Sequence, residues 1–313
     1  MSVKVSVVIP VYNVAPYLTK CMESVSGQTL HDIEIIAVND ASTDNSLAIL
    51  KKFAKHDSRI KIINHKKNTK TAGCRNDGLD AATGEYVCFL DGDDYLDDDF
   101  CEKLYKLAIS EKADIAKGVT KTFNTEGTVT VADDNKKIIS DGKYAFMGHL
   151  LTGLYNRKKL LLKNNIRFHI DFFCFQIQAV YFANKIVCDN TAFYNYVRHP
   201  NSCDSETFTI EKWVRLNLGH ANFMYDWINS HNYSDDVREL YLERIHGLYF
   251  YGFNKLAKSD IIKGCEILSE NMLQNYNCRY DCSDIKNLKR RLYKSHPKTT
   301  KFEYCMNIIR HRI

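Results

Sequence analysis

The first hundred residues alternate short apolar runs with segments of helical periodicity. The apolar runs are rich in valine and isoleucine and have the length of buried strands. We predict strands over residues 3–9, 33–38, 60–63 and 85–90. Between them, apolar side chains recur three and four positions apart, which predicts helices. Strands that alternate with helices indicate an α/β fold, in which helices cover both faces of a mostly parallel sheet.

The pattern changes later in the chain. A further strand is expected over residues 114–119 and a hairpin over residues 120–131. Beyond about residue 205, tyrosine and leucine recur at helical spacing. We therefore expect a sheet domain over residues 1–205 and a helical C-terminal region over residues 206–313.

Polar residues follow three of the four predicted strands. They are Tyr12 and Asn13 after the first strand, Asn39 and Asp40 after the second, and Asp91-Gly92-Asp93 after the fourth. The carboxyl ends of parallel strands meet at one edge of a sheet, and ligands bind there. These residues are therefore expected to converge on a single site.

The acidic turn Asp91-Gly92-Asp93 is the most informative of these motifs. Two carboxylates that flank a glycine can hold a hard divalent cation, Mn²⁺ or Mg²⁺. The glycine lets a diphosphate approach the backbone, and the metal would stabilise charge on a departing nucleoside diphosphate. The alternative is a solvated acidic helix start, because acids favour helix N-termini. We favour the metal site for Asp91 and Asp93, which directly follow an apolar strand.

Three segments occur in an order that is typical of one enzyme family. They are residues 6–13, 33–44 and 74–91. With them the chain resembles the inverting family 2 glycosyltransferases of the bacterial cell-surface glycan type, densely over residues 3–100 and more weakly to Ser202. The resemblance implies a Rossmann-like GT-A fold with a helical C-terminal extension. It also implies transfer of a sugar from a UDP-sugar donor to a hydroxyl of a glycan or lipid-linked glycan acceptor.

The resemblance assigns roles to individual residues. The positions that bind the nucleotide sugar are matched by Pro10, Val11, Tyr12, Asp40, Asn68, Arg75, Asp91, Gly92 and Arg198. Asp40 would accept a hydrogen bond from the uracil imide, and Arg75 would offer its planar fork to the donor phosphates. The alternatives are core packing for Tyr12 and a surface ion pair with Asp77 or Asp80 for Arg75.

Arg198 and His199 resemble part of the segment that folds over the donor diphosphate. Arg198 would pair with phosphate, and His199 would join Asp91 and Asp93 as a metal ligand through its neutral imidazole. An exposed loop histidine without a ligand is equally compatible with the sequence.

The catalytic base is the point at which the chain departs from the family. An inverting transfer needs a group that accepts the proton of the acceptor hydroxyl, and the family usually presents a Glu-Asp pair. The matching residues here are Asp171 and Phe172. We expect Asp171 to be the base after a one-residue shift, with His169 as a second candidate, although Asp171 would also serve as a helix N-cap. The remaining alternative is a degenerate member that binds a nucleotide sugar without transferring it.

Composition adds limits on location and partners. The odd number of cysteines, 11, and their scatter predict free thiols. No secretory pattern or membrane-spanning stretch is present, so we expect a cytoplasmic protein. The net charge of +5 is concentrated in residues 283–313, where nine lysines and arginines face two acids. The amphipathic pattern of residues 285–313 suits either peripheral binding to an anionic membrane or a helix packed on the domain.

Two other function classes lack their motifs. The first strand is followed by Pro10-Val11-Tyr12-Asn13, where a dinucleotide-binding enzyme would carry G-x-G-x-x-G. A recognised nucleic-acid-binding module is absent from the sequence, so no nucleic-acid partner is expected.

Overall fold

The computed structural model describes residues 2–123, 129–131, 152–170, 172–200, 209–235 and 238. The chain divides into two compact units, Met1–Glu206 and Thr207–Ile313. Asp171 and the basic segment 285–313 lie outside the described residues. Within the described part, none of the helices combines the length and the apolar character that crossing a membrane requires.

The described residues of the first unit form a nine-stranded sheet with flanking helices. The strands are β1 (Val5–Val11), β2 (Ile33–Asn39), β3 (Ile60–Asn64), β4 (Tyr86–Phe89), β5 (Tyr95–Leu96), β6 (Ile115–Phe123), β7 (Val129–Val131), β8 (Gly153–Asn156) and β9 (Ile186–Val197). The helices are α1 (Ala15–Ser26), α2 (Ser46–His56), α3 (Lys70–Ala81), α4 (Phe100–Glu111) and α5 (Phe172–Phe182), with a π-helical segment at Arg157–Leu162.

The sheet combines a parallel half with a mixed half. Its strand order is β3-β2-β1-β4-β8-β6-β9-β5, with β7 paired to β6. The four strands predicted from the first hundred residues, β1 to β4, pair in parallel. β8 then joins β4 and β6 in antiparallel pairs, and β9 runs parallel to β6. The expected α/β fold is confirmed, and the sheet is mixed beyond β4.

Alternate residues of β1 supply two separate hydrophobic layers. Val7 and Ile9 pack in one layer with the apolar side of α1, whose Leu18 and Met22 are fully buried. Val8 packs in the opposite layer with residues of α3 and α5. The period of two along the strand therefore explains why helices cover both faces.

A close contact between α3 and β1 sets the position of that helix. A Cβ atom added at Gly78 would lie 2.2 Å from Val8 Cγ1, so only glycine allows this approach. Arg75 lies three residues earlier on the same helix. The close packing therefore holds Arg75 against the sheet.

The described residues of the second unit are helical, as the sequence pattern predicts. They form α6 (Ile210–Trp213), a π-helical segment (Val214–Leu218) and α7 (Gly219–Ser230). Ala221, Met224 and Ile228 of α7 are buried at spacings of three and four residues. This spacing places them on one side of the helix.

Among the described residues the cysteines are free thiols, as expected. They are Cys21, Cys74, Cys88, Cys101, Cys174 and Cys188. Cys188 is half-buried and the others are buried, so they pack as small apolar side chains.

Candidate active site

The three polar strand ends meet at one edge of the sheet. Val11 at the end of β1 pairs with Asn39 at the end of β2. The backbone N–H of Asp40 donates to the Val11 carbonyl at 2.8 Å, and that of Leu90 donates to the Val8 carbonyl at 3.0 Å. This register brings Tyr12, Asp40 and the acidic turn to the same side, as the sequence predicts.

The loop after β1 holds an exposed aromatic ring. Tyr12 is 49% exposed, so the alternative that it packs in the core is wrong. The loop is fixed beside it, because Asn13 Oδ1 accepts a hydrogen bond from the Thr43 backbone N–H at 2.8 Å. The side chain of Val11 is buried in the core, whereas Pro10 is half-buried. Val11 therefore presents its backbone, rather than its side chain, at this edge.

Asp40 is a buried carboxylate that accepts three hydrogen bonds from Thr69 and His65. Its Oδ1 accepts from the backbone N–H of Thr69 at 2.7 Å, from the Thr69 hydroxyl at 3.0 Å and from His65 Nδ1 at 3.0 Å. Burial by itself raises the pKa of Asp40, but the bonds from Thr69 and His65 outweigh it and lower the pKa below its usual value. Asn68 Nδ2 donates to the backbone carbonyl of Asp40 at 3.5 Å, so Asn68 lies next to Asp40.

Cys74 lies close to the same group. One potential ligand atom each from Asp40, His65 and Cys74 lies within 4.8 Å of the other two, as metal ligands do. Burial raises the pKa of the Cys74 thiol to about 12, which disfavours the thiolate that zinc binds. The hydrogen bonds that Asp40 accepts from Thr69 and His65 account for this cluster without a metal.

Arg75 is paired with the first carboxylate of the acidic turn. Its Nη2 donates to Asp91 Oδ1 at 2.6 Å, and its side chain is 5% exposed. Asp77 pairs instead with His65, and Asp80 with Arg167. The alternative of a surface ion pair between Arg75 and Asp77 or Asp80 is therefore wrong.

Aromatic rings surround the Arg75 guanidinium. Its Cζ lies 5.4 Å from the ring centroid of Phe168 and 5.4 Å from that of Phe172. The buried Nε of Arg75 has no hydrogen-bond partner among the described residues. The guanidinium is thus held by one carboxylate and two aromatic contacts.

The second carboxylate of the turn is paired with a buried histidine. His199 Nε2 lies 3.0 Å from Asp93 Oδ2, and the histidine is 7% exposed. Its ring stacks on Tyr17 of α1, with ring centroids 4.2 Å apart. The alternative of an exposed loop histidine is therefore wrong, and His199 lies beside the acidic turn.

Asp94 connects the acidic turn to β9 through hydrogen bonds, a role that was not predicted from the sequence. It is buried, and its two oxygens accept from the Tyr194 hydroxyl at 2.7 Å and from the Val197 backbone N–H at 2.8 Å. Tyr194 in turn accepts from the Asp91 backbone N–H at 3.2 Å. Burial, with the charges of Asp93 and Asp91, raises the pKa of Asp94 well above its usual value. The apolar position of Tyr194 in β9 gives no indication of this bond in the sequence.

The donor set of the turn fits a hard divalent cation. Burial raises the pKa of Asp93, and the negative charge of Asp91 raises it further. The ionised form of Asp93 is therefore destabilised in the folded protein. The carboxylates of Asp91 and Asp93 and the imidazole of His199 are ligands that Mn²⁺ accepts. A Cβ atom at Gly92 would lie 3.1 Å from the Pro10 carbonyl oxygen and from Val14 Cγ2. A side chain there would crowd the turn.

The remaining predicted site residues are those near α5 and after β9. Arg198 is exposed, and its backbone N–H donates to the Phe123 carbonyl at 2.8 Å. Asp171 lies outside the described residues, so its role as base stays a prediction. Phe172 begins α5, and His169 is an exposed residue whose pKa is lowered by desolvation of its ring.

His65 was also missed, although the sequence rule that located the other strand ends applies to it. It directly follows β3, as Asp40 follows β2. The predicted strand 60–63 ends one residue before Asn64 and two before His65. Polar residues therefore follow all four parallel strands rather than three.

Comparison with known proteins identifies the family. The sequence model of glycosyl transferase family 2 matches residues 6–183. The chain belongs to this family. It is 46% identical over 121 residues to glycosyltransferase GlyA of Streptococcus pneumoniae, which covers 39% of this chain and 17% of GlyA. It is 32% identical over 216 residues to the putative glycosyltransferase EpsH of Bacillus subtilis, which covers 63% of this chain and 62% of EpsH.

A solved structure shows the same fold. The chain matches Staphylococcus aureus TarS (residues 1–349, in complex with UDP-GlcNAc) with a TM-score of 0.70 and 20% identity. The match covers 86% of this chain and 81% of the TarS chain. The GT-A fold is therefore confirmed. The chain spans less than two thirds of the length of GlyA and of EpsH.

Proposed function

We propose that the protein transfers a sugar, with inversion, from a UDP-sugar to a hydroxyl of a glycan or lipid-linked glycan. The observation that carries the proposal is the row of paired polar groups along one sheet edge. Asp40 lies at the end of this row that is close to Tyr12. The acidic turn lies at the other end, where Asp91 pairs with Arg75 and Asp93 pairs with His199. An acceptor-only carboxylate beside an exposed aromatic ring suits a nucleobase, and the turn suits a diphosphate.

The proposed binding of the donor uses the groups in that order. Uracil would stack on Tyr12, whose ring is exposed, and donate its imide N–H to Asp40. The three hydrogen bonds from Thr69 and His65 to the Asp40 side chain all end on Oδ1, so Oδ2 is the oxygen assigned to the imide. The diphosphate would lie by the turn, where Arg75 and Arg198 supply positive charge. The UDP-GlcNAc bound by TarS, which has the same fold, supports a UDP-sugar as donor.

A divalent cation, Mn²⁺ or Mg²⁺, is proposed as the cofactor, held by Asp91, Asp93 and His199. When bound, it would offset the charge of the donor diphosphate. Without it, the two carboxylates would repel the diphosphate. The raised pKa of Asp93 supports this assignment, because a bound cation would offset the repulsion between the two carboxylates.

The transfer step is a single displacement. The acceptor oxygen attacks the anomeric carbon, the bond from that carbon to the β-phosphate oxygen breaks, and the electron pair leaves with UDP. The acceptor proton passes to a base, for which we propose Asp171. His169 is the second candidate, since a neutral imidazole accepts a proton and its lowered pKa favours that form.

Release of UDP from a panel of UDP-sugars, measured with Mn²⁺, tests the proposal. Asp93→Ala should lose at least about tenfold in rate, because it removes a proposed ligand. Asp98→Asn is the matched control, since Asp98 is an exposed acid five residues later. Asp171→Asn should bind UDP like the wild type but transfer at least about a hundredfold more slowly. Full activity in Asp171→Asn would exclude that residue as the base.

The second candidate function is nucleotide-sugar binding without transfer. Phe172 motivates it, because the family usually presents a carboxylate there. A protein that binds UDP but releases none from any donor and acceptor would support this reading. The basic segment 285–313 is proposed as a contact for an anionic membrane, and vesicles with and without an anionic lipid would test it.

A further inference from the structure

His65 links two carboxylates at the end of the site assigned to the nucleobase. Its Nδ1 lies 3.0 Å from Asp40 Oδ1, and its Nε2 lies 2.9 Å from Asp77 Oδ2. The side chains of His65 and Asp40 are 12% and 3% exposed, whereas that of Asp77 on α3 is 49% exposed. The histidine therefore joins a buried carboxylate to one at the surface. The transfer proposed above does not use it.

The hydrogen-bond partners of Nδ1 determine its role. An ionised carboxylate only accepts, so the contact with Asp40 needs Nδ1 as the donor. The Thr69 hydroxyl oxygen lies 3.0 Å from Asp40 Oδ1 and 3.1 Å from His65 Nδ1. Its single proton goes to the carboxylate, so this oxygen can only accept from Nδ1. Both contacts of Nδ1 therefore need this nitrogen as the donor.

The groups that face the ring come from two elements. Asp40 follows β2, whereas Thr69, Cys74 and Asp77 belong to the start and first turns of α3. Burial raises the pKa of the Cys74 thiol to about 12, so this group is neutral. The charged groups that the described residues place against the ring are thus the two carboxylates.

Asp40 depends on His65 because the carboxylate is buried. A buried ionised group needs hydrogen-bond donors to offset the loss of water. Thr69 supplies two donors from a single residue, and His65 supplies the third from a different segment. Donors on two segments fix the plane of the carboxylate, and hence the direction in which Oδ2 points.

We propose that His65 is a positioning residue for nucleobase recognition. Its Nδ1–H holds the Asp40 carboxylate in the orientation that accepts the imide N–H of a uracil base, and Asp77 holds the ring from the other side. The inference rests on the proposed function, because it assigns Asp40 to the base of the donor.

Two substitutions at position 65 distinguish the roles of Nδ1 and Nε2. The asparagine amide reaches about as far as Nδ1, and the glutamine amide about as far as Nε2. His65→Asn therefore keeps a donor for Asp40, whereas His65→Gln keeps one only for Asp77. UDP binding to the full chain, measured by calorimetry with Mn²⁺, should weaken about tenfold in His65→Gln and less than about threefold in His65→Asn. In turnover the loss should appear in KM, with kcat unchanged.

Asp80→Asn is the control, because Asp80 lies three residues later on α3 and pairs with Arg167 rather than with His65, so this variant should bind UDP like the wild type. Equal losses in His65→Asn and His65→Gln, or an equal loss in Asp80→Asn, would overturn the positioning role. A nitrogen-15 spectrum of the ligand-free protein should show a proton on His65 Nδ1, and an unprotonated Nδ1 overturns the proposal independently of UDP. A wild-type protein that binds no UDP overturns the proposed function as well. Wild-type binding with no loss in any variant overturns the positioning role alone.

Discussion

The ring of Phe172 lies against the guanidinium of Arg75, with its centroid 5.4 Å from Arg75 Cζ. The same ring contacts Tyr155, Phe168 and Phe175 in the layer beneath α5. Phe172, which the sequence resemblance aligns with the usual family base, is thus part of the packing around Arg75. A carboxylate here would lie beside Arg75 and compete with Asp91 for it.

Phe172→Leu should lower stability without removing chemistry. It loses the aromatic contacts and the cation–π contact, so the free energy of unfolding should fall by about 1–2 kcal/mol. UDP release should stay within about threefold of the wild type, because no proposed reacting group is removed. Urea unfolding and the UDP-release assay measure the two effects. Phe172→Asp is the informative companion, and a gain of transfer activity in it would show that position 172 can act as the base site.

Removal of Asp91 should lower the free energy of unfolding more than removal of Arg75. Arg75 is 5% exposed, whereas the Asp91 side chain is 29% exposed. Asp91→Ala leaves a buried guanidinium without its carboxylate and should lower the free energy of unfolding by about 3 kcal/mol. Arg75→Met fills similar space without a charge and leaves Asp91 able to reach water, so its cost should be less than about 1.5 kcal/mol. Both changes should impair UDP release. An equal loss of stability in the two variants would contradict this asymmetry.

The parallel half of the sheet could be predicted from sequence because its strands are apolar on both faces. β1, β2 and β4 are buried almost throughout, so each reads as a continuous apolar run. β9 was not predicted, since Asp189, Asn190 and Thr191 interrupt its pattern. Exposed strand residues carry no hydrophobic period, and the pairing of β9 with β6 is formed only in the folded sheet.

The site could be predicted where it follows from strand ends, but not where it depends on distant pairs. Asp40 and the acidic turn come directly after buried strands, and the structure places them at one edge. The partners Tyr17 and His199 are 182 positions apart in the chain, and Asp94 and Tyr194 are 100 apart. No local pattern encodes such pairs, because only the packing of α1 and β9 around the turn brings them together.

Asp93→Asn should stabilise the metal-free protein at neutral pH. The pKa of Asp93 is raised by burial and by the charge of Asp91, so the folded state binds this proton more tightly than the unfolded state. Stability therefore falls as pH rises from the unfolded value of about 3.9 to the raised folded pKa, and it stays lower above that. Removal of the charge should raise Tm by about 2 °C at pH 7, and the difference should vanish near pH 3.

Thermal melts between pH 3 and 8 with a chelator test this sign. Asp98→Asn is the control, because Asp98 is exposed and its removal should change Tm by less than about 1 °C at every pH. Added Mn²⁺ should raise the Tm of the wild type more than that of Asp93→Asn. A lower Tm in Asp93→Asn at pH 7 would contradict the expectation.

Tyr17 should affect the Mn²⁺ dependence of UDP release, because its ring stacks on the proposed metal ligand His199. The two rings stack with an interplanar angle of 21°, and His199 lies 3.0 Å from Asp93. Tyr17→Phe keeps the stack and should behave like the wild type. Tyr17→Leu removes the flat surface that orients the imidazole, so the Mn²⁺ concentration for half-maximal UDP release should rise about tenfold. Because Tyr17 is only half-buried, Tm should fall by less than about 3 °C in Tyr17→Leu. A Mn²⁺ titration that is unchanged in Tyr17→Leu would mean that the stack serves packing alone.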